Sequence, residues 1–179
     1  MVFKHFFQEK FNFDKFSLPF IVKWSQIAPT IWRTSFDYDN DSKAVGIGMK
    51  QKSDIYDVTA EYIKDPYSME SALADVAHDN QNKIKQEPYW WIDFESREWG
   101  TGTTSRIGET PRNARIILKT VMAILSEKVS VGDNISFTSG TDQPSKISLY
   151  RLLANALANQ YGKTVEEVSQ EDQLYFFIH

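Results

Sequence analysis

The sequence NARIILKTVMAILSEK, residues 113–128, decides the fold more than any other stretch of the chain. Its apolar side chains recur at helical spacing, which predicts an α-helix with a wide hydrophobic face. The residues on this face are Ala114, Ile117, Leu118, Val121, Ile124 and Leu125. Three further apolar residues extend the hydrophobic surface almost all the way round. We therefore expect the helix to pack under a β-sheet and beside another helix.

The helix lies within an alternation of strands and helices that fills the second half of the chain. Tyr89–Glu95 and Ile135–Ser139 have the composition of strands. A second helix is expected to begin near Pro144 and to end at Gly162, because proline favours first turns and glycine favours helix ends. Leu174–His179 is apolar on both faces except at its end, which predicts a covered final strand rather than an open edge.

The first half of the chain predicts an antiparallel meander followed by a helix. Three strands are expected at Ile31–Tyr38, Ala44–Lys50 and Ile55–Ile63, joined by short polar turns. A helix is expected from Met69, with Ser68 as its N-cap. The fold class is therefore α+β: one domain spanning 1–179, a mostly antiparallel mixed sheet and three helices, in the order βββ-α-β-α-β-α-β.

Residues 1–24 form a Phe-rich N-terminal arm with two interpretations. The arm either packs over its own core or docks on another subunit or partner, since clustered aromatic residues are frequent in binding interfaces. For the second interpretation, the candidate contact residues are Phe3, Phe6 and Phe7 of the arm, together with Trp91 and Trp99. The whole chain has 12 Phe, 8 Tyr and 5 Trp, so an aromatic surplus is available for self-association or for a protein partner.

Charge and cysteine content exclude several classes of function. The chain has 20 basic and 24 acidic side chains and a formal charge of −4, which argues against a dedicated nucleic-acid-binding protein. It has no cysteine, so disulfides, thiolate nucleophiles and cysteine-based metal sites are excluded, and a reducing cytoplasm is expected. No apolar run of about 18 residues occurs, so no membrane-spanning helix is expected. The N-terminal sequence MVFKHFF also lacks the features of a signal peptide.

The loop Ser96–Asn113 is rich in glycine, hydroxyl and arginine side chains, and it precedes the N-terminus of the central helix. Free backbone N–H groups and the helix dipole favour anions at such a position. A phosphate or carboxylate ligand is one interpretation; an ordinary surface loop, capped by Thr110 or Asn113, is the other. The candidate anion-binding residues are Arg106, Gly108, Thr110, Arg112 and Asn113.

Asp93 and Glu95 share one face of a predicted strand with Trp91. Two carboxylates at this spacing suit a general acid/base pair or a hard metal ion, whereas an exposed polar face is the more usual explanation for alternating acids on a strand. We expect no zinc site, because the histidines are far apart and none occurs in a ligand motif. These histidines are His5, His78 and His179.

Two resemblances emerge from these segments. First, FTS (137–139) and KISLYRLL (146–153), following the helix sequence TVMAIL (120–125), resemble small proteins encoded by tailed bacteriophages. This resemblance covers about half of the chain and implies a phage origin without a particular activity.

Second, the order strand, turn, helix, strand, Leu-Tyr-containing helix and strand is similar to the second half of the GNAT acetyltransferase superfamily. That resemblance implies that the turn before the central helix holds the pyrophosphate of acetyl-CoA and that Tyr150 is a general acid. The family's R/Q-x-x-G-x-G/A run is replaced here by Arg106-Ile107-Gly108-Glu109-Thr110, and an additional helix precedes the fourth strand.

Two functional hypotheses follow. The first is a phage accessory protein that acts by protein–protein binding in the host cytoplasm or within the virion, and that needs no cofactor. The alternative is an acyl-CoA-dependent N-acyltransferase in which Tyr150 is the acid and Asp93 or Glu95 is the base.

Overall fold

A computed structural model of the chain describes residues 21–39, 43–45, 54–97, 104–105, 111–141 and 144–179. At the ends of several elements only the backbone is described. In chain order the elements are β1 (Ser25–Ala28), β2 (Ile31–Asp39), β3 (Lys43–Val45), β4 (Asp54–Ile63), α1 (Ala74–Asp79), β5 (Tyr89–Arg97), β6 (Thr104–Ser105), α2 (Pro111–Ser126), β7 (Asn134–Gly140), α3 (Pro144–Tyr161), β8 (Val165–Gln170) and β9 (Gln173–Ile178).

The strands of these ranges form one sheet in the order β1-β2-β4-β5-β7-β9-β8. Two short strands lie off this path, since β3 pairs with β2 and β6 pairs with β5. Every neighbouring pair is antiparallel except β5 and β7, which run parallel. The predicted α+β fold, with a mostly antiparallel mixed sheet and three helices in the described residues, is confirmed.

The parallel pairing between β5 and β7 is short. It comprises Tyr89 with Asn134, Trp90 with Ile135 and Trp91 with Ser136. Beyond these three pairs β5 continues to Arg97 and β7 continues to Gly140 without a shared ladder, so the two strands separate. We call the gap between residues 92–95 of β5 and residues 137–140 of β7 the splay.

The main hydrophobic core lies between one face of the sheet and the helices α2 and α3. The predicted burial of α2 on more than one side is confirmed, since six of its apolar residues are at most 2% exposed. These residues are Ile117, Leu118, Val121, Met122, Ile124 and Leu125. The alternation of β5 is also confirmed, because Trp90, Ile92 and Phe94 all face this core.

A smaller hydrophobic cluster lies on the other face of the sheet, around the buried Tyr89 and Phe177. The segment between β4 and β5, which includes α1, covers this cluster with Leu73, Val76 and Ile84. Both faces of the last strand are covered, which explains why it has apolar residues on both faces. Its predicted protected position is confirmed, since β9 lies between β7 and β8.

The predicted start of the first helix is wrong. The helix begins at Ala74 and not at Met69, and Ser68 is not its N-cap. Instead, the hydroxyl oxygens of Ser68 and Ser71 accept hydrogen bonds from backbone N–H groups two residues later, at 3.4 and 3.0 Å. Such local side-chain bonds satisfy the backbone in turns and so compete with helix formation.

The sheet also contains strands that the sequence pattern did not indicate. Strand β8 is polar and acidic, and its two valines, Val165 and Val168, are three residues apart and therefore face opposite sides, so no alternating pattern predicts a strand there. The predicted meander order is wrong as well, because β2 pairs directly with β4 and β3 pairs only with the end of β2. Residues 46–50 of the predicted second strand lie outside the described residues.

Gly162 ends α3 with a positive φ of 64°, and nothing lies within 4 Å of a Cβ built there. We expect Gly162→Ala to lower the free energy of unfolding by roughly 1–2 kcal/mol, because an L side chain strains this backbone conformation. Gly132→Ala is the control, since that position has equal space and no positive φ. Urea unfolding would contradict the explanation if both variants lost the same stability.

Tyr89 and His179 connect the start of β5 to the end of β9. Burial raises the pKa of Tyr89, and the pKa of His179 is lowered by burial and then by the positive charge of Lys85. A protonated phenol therefore donates to Nδ1 of a neutral imidazole, and the two atoms are 2.7 Å apart. Lys163 also lowers the pKa of His179, whereas the nearby carboxylates of Glu87 and Glu166 oppose the shift.

This pairing predicts a pH-dependent stability. A base with a lowered pKa in the folded state stabilises the fold fully above its ordinary pKa of about 6.5, and this contribution is lost as the pH falls through the lowered value. Wild type should therefore lose more stability than His179→Gln between about pH 7 and pH 5. His78→Gln, a change at an exposed histidine, should keep the wild-type slope. If thermal unfolding showed the same dependence of stability on pH for wild type and His179→Gln, the lowered pKa of His179 would be contradicted.

Candidate functional site

The splay is where the described parts of β5 and β7 form no ladder with each other. On one side β5 pairs with β4 along residues 89–97, and on the other side its described pairing with β6 begins at Ser96. Parallel strands commonly bind ligands where their carboxyl ends open.

Tyr150 of α3 bridges the two diverging strands. Its ring stacks on Phe94 of β5, with centroids 5.1 Å apart and planes at 17°. It also contacts Phe137 of β7, with centroids 5.9 Å apart. Tyr150 is only 5% exposed, so the helix delivers one aromatic side chain to the place where the strands separate.

The environment of Tyr150 keeps its hydroxyl protonated. Burial raises the pKa of Tyr150, and the negative charge of Asp93 raises it further. At neutral pH the phenol is therefore a hydrogen-bond donor, which suits it to stabilise or protonate an anion that forms beside it.

The structure describes the side chain of only one of the two predicted carboxylates. Asp93 is exposed, pairs in register with Thr59 of β4 and lies close enough to Tyr150 to influence its pKa. Glu95 pairs with Asp57 through the backbone, but its side chain lies outside the described residues. The alternation of β5 places the side chain of Asp93 on the face opposite to Phe94 and the ring of Tyr150, so the roles of both Asp93 and Glu95 stay predictions.

The predicted start of the central helix is corrected by two residues. Helix α2 begins at Pro111, as proline prefers, so Arg112 and Asn113 belong to its first turn and Asn113 is not its cap. The side chains of Arg112 and Asn113 lie outside the described residues, as do Arg106, Gly108 and Thr110 entirely. Their proposed contact with an anion stays a prediction.

The predicted interaction residues are mostly outside the described ranges, namely Phe3, Phe6, Phe7 and Trp99. Trp91 is described and is half-buried beside Tyr175, with ring centroids 6.2 Å apart. It packs against the smaller hydrophobic cluster and is therefore not fully available to a partner.

Sequence reasoning did not pair Tyr150 with Phe94 and Phe137. The signal was present, because both phenylalanines occupy core-facing positions of strands. The sequence pattern does not show that β5 and β7 are adjacent strands, because their pairing joins residues far apart in the chain.

Among the described residues there is no group of three or more acidic or histidine side chains that would hold a metal ion. Within the same residues, no helix has the length and apolar character needed to cross a membrane. Comparison of the chain with protein-family models, curated proteins and solved structures gives no match.

The stacked position of Tyr150 predicts a large loss of stability for one substitution and a small loss for another. Tyr150→Ala should lower the free energy of unfolding by about 3–5 kcal/mol, because it leaves a cavity between Phe94 and Phe137. Tyr150→Phe keeps the ring and should retain most of that stability. Urea unfolding of both variants checks this, and a near-neutral alanine variant would show that the ring is not packed.

Proposed function

We propose that the protein binds an acyl-CoA in the splay and transfers its acyl group to an amine. The observation that carries this proposal is the short parallel pairing of β5 and β7, which opens beside a buried tyrosine. The chain order of β5, α2, β7, α3 and a later strand is the element order on which the acetyltransferase resemblance rests.

The gap between the two strands suits the pantetheine arm of coenzyme A. That arm is an extended chain with two amide groups, and extended amides bind well along the edge of a strand. Among the described residues, no ladder joins residues 92–95 of β5 to residues 137–140 of β7, so the two strands border this gap. The N-terminus of α2, a helix of 16 residues, supplies N–H groups and a dipole that favour a pyrophosphate.

The side chains around the splay support acyl transfer. As an amine attacks the thioester carbonyl, a C–N bond forms and the C–S bond breaks, so the departing sulfur gains negative charge. Tyr150, protonated at neutral pH, donates its proton to that sulfur. Asp93, or Glu95 as predicted from the sequence, accepts the proton that the amine loses. Proton return to the phenolate from water then completes the cycle.

A second function has its own supporting observation. Tyr150 is 5% exposed and is packed by Phe94 and Phe137, and a filled splay favours a structural core over a ligand site. On this alternative the chain is a phage accessory protein, in the host cytoplasm or the virion, and works by binding a protein partner or a second copy of itself.

Calorimetric titration with acetyl-CoA separates the two functions. For the transferase we expect saturable binding below millimolar concentration. Tyr150→Phe should retain binding and lower acyl transfer to an amine by about 10²-fold, because the proton donor is lost. An absence of heat at millimolar acetyl-CoA would remove the transferase.

Tyr161→Phe is the matched control for that experiment. Tyr161 is a buried tyrosine of the same helix and lies outside the splay, so removing its hydroxyl should leave transfer unchanged. Equal losses in both variants would show a general effect on α3. Light scattering that detects a stable oligomer, together with no binding of acetyl-CoA, would favour the accessory protein.

A further inference from the structure

A second cavity lies at the amino ends of β5 and β7, at the end of the parallel pairing away from the splay. Its volume is about 200 Å³. The residues that line it are Tyr62, Glu87, Pro88, Trp90, Gly132, Asp133 and Asn134. Neither functional hypothesis uses these residues.

Aromatic rings form one wall of this cavity. The rings of Tyr62 and Trp90 meet at 61°, with centroids 5.2 Å apart, and Trp32 packs on Trp90 at 5.4 Å. Lys128 already contacts the outer part of this aromatic cluster. Its ammonium nitrogen lies 3.7 Å from the ring centroid of Trp32, which does not line the cavity, and 5.6 Å from that of Trp90, which does. The rings that a cation in the cavity would meet are those of Tyr62 and Trp90.

Two carboxylates line the same cavity, and both accept hydrogen bonds from uncharged donors. Oδ2 of Asp133 accepts from the indole N–H of Trp90 at 3.0 Å and from the backbone N–H of Ser130 at 2.9 Å. Oε2 of Glu87 accepts from the side-chain amide of Asn134 at 3.0 Å. In the part of the chain that the structure describes, neither carboxylate forms an ion pair with a basic side chain.

Lys163 lies beside the cavity but forms no ion pair with either carboxylate. The ammonium group of Lys163 donates to the backbone carbonyl of Gly132 at 3.2 Å and to Oδ1 of Asn134 at 2.8 Å. It is thus held by uncharged acceptors. The cavity combines electron-rich rings with two carboxylates, and both favour a cation.

We propose that this cavity binds an organic ammonium group, in particular a methylated one. A trimethylammonium group is weakly hydrated, so aromatic faces and carboxylates compete successfully with water for it. The cavity volume admits a small head group and excludes a large ligand. This site is independent of acyl-CoA binding, because it lies at the other end of the parallel pair from the splay.

The test compares choline with 3,3-dimethylbutan-1-ol, which has the same shape and no charge. Both are titrated into the full chain at constant ionic strength, with tryptophan fluorescence and calorimetry as readouts. We expect saturable choline binding and about tenfold weaker binding of the neutral analogue. Equal binding of both, or no choline binding at about 10 mM, would overturn the proposal.

Matched variants distinguish the site from general electrostatics. Asp133→Asn and Glu87→Gln should each weaken choline binding several-fold, whereas Glu127→Gln removes the same charge from an exposed site and should not. Tyr62→Leu should weaken choline binding through loss of a ring and provides a test if Asp133→Asn fails to fold. Equal effects of Asp133→Asn and Glu127→Gln would overturn the proposal.

Discussion

The parallel pairing between β5 and β7 holds two antiparallel sheets together as one. Strands β1, β2, β4 and β5 form one part, and β7, β9 and β8 form the other. Because this connection has only three residue pairs, most of the cohesion between the parts must come from side chains. Helices α2 and α3 supply it through their shared core with the sheet, and the contacts of Tyr150 with Phe94 and Phe137 connect the two strands on the core face.

Strand β5 contributes an aromatic side chain at each end of its pairing with β7. Trp90 and Phe94 lie on one face of β5, four residues and so about 13 Å apart. Trp90 is fixed by its hydrogen bond to Asp133 beside the small cavity, and Phe94 supports Tyr150 at the splay. Rigid pairing of β5 with β4 along nine residues keeps both aromatic rings in place. One well-supported strand thus gives defined geometry to two chemically different regions.

Features that depend on residues close together in the chain could be predicted from the sequence, whereas features that depend on distant residues could not. The burial of α2, the start of α3 at Pro144 and its end at Gly162 depend on residues within a few positions of each other, and these predictions are confirmed. Strand β8 has no period-two pattern and is therefore not predicted from the sequence, whereas the serine turns before α1 compete with a helix and make its predicted start too early. The Tyr150 stack and the Trp90 cavity form only because β5 lies next to β7, and no local sequence pattern shows which distant strands become neighbours. The loop that was predicted to bind an anion lies largely outside the described residues.

The brevity of the parallel pairing also bears on the order in which the chain folds. The hairpin of β8 and β9 joins residues close in sequence, and β4 and β5 enclose only the segment around α1. Tyr89 and Asn134 are about as far apart in the chain as Ile135 and Ile178 of the β7–β9 pair, so their closure costs a similar entropy, but only three residue pairs offset it instead of six. Docking of two preformed antiparallel units, with α2 collapsing between them, is therefore the expected late event in folding.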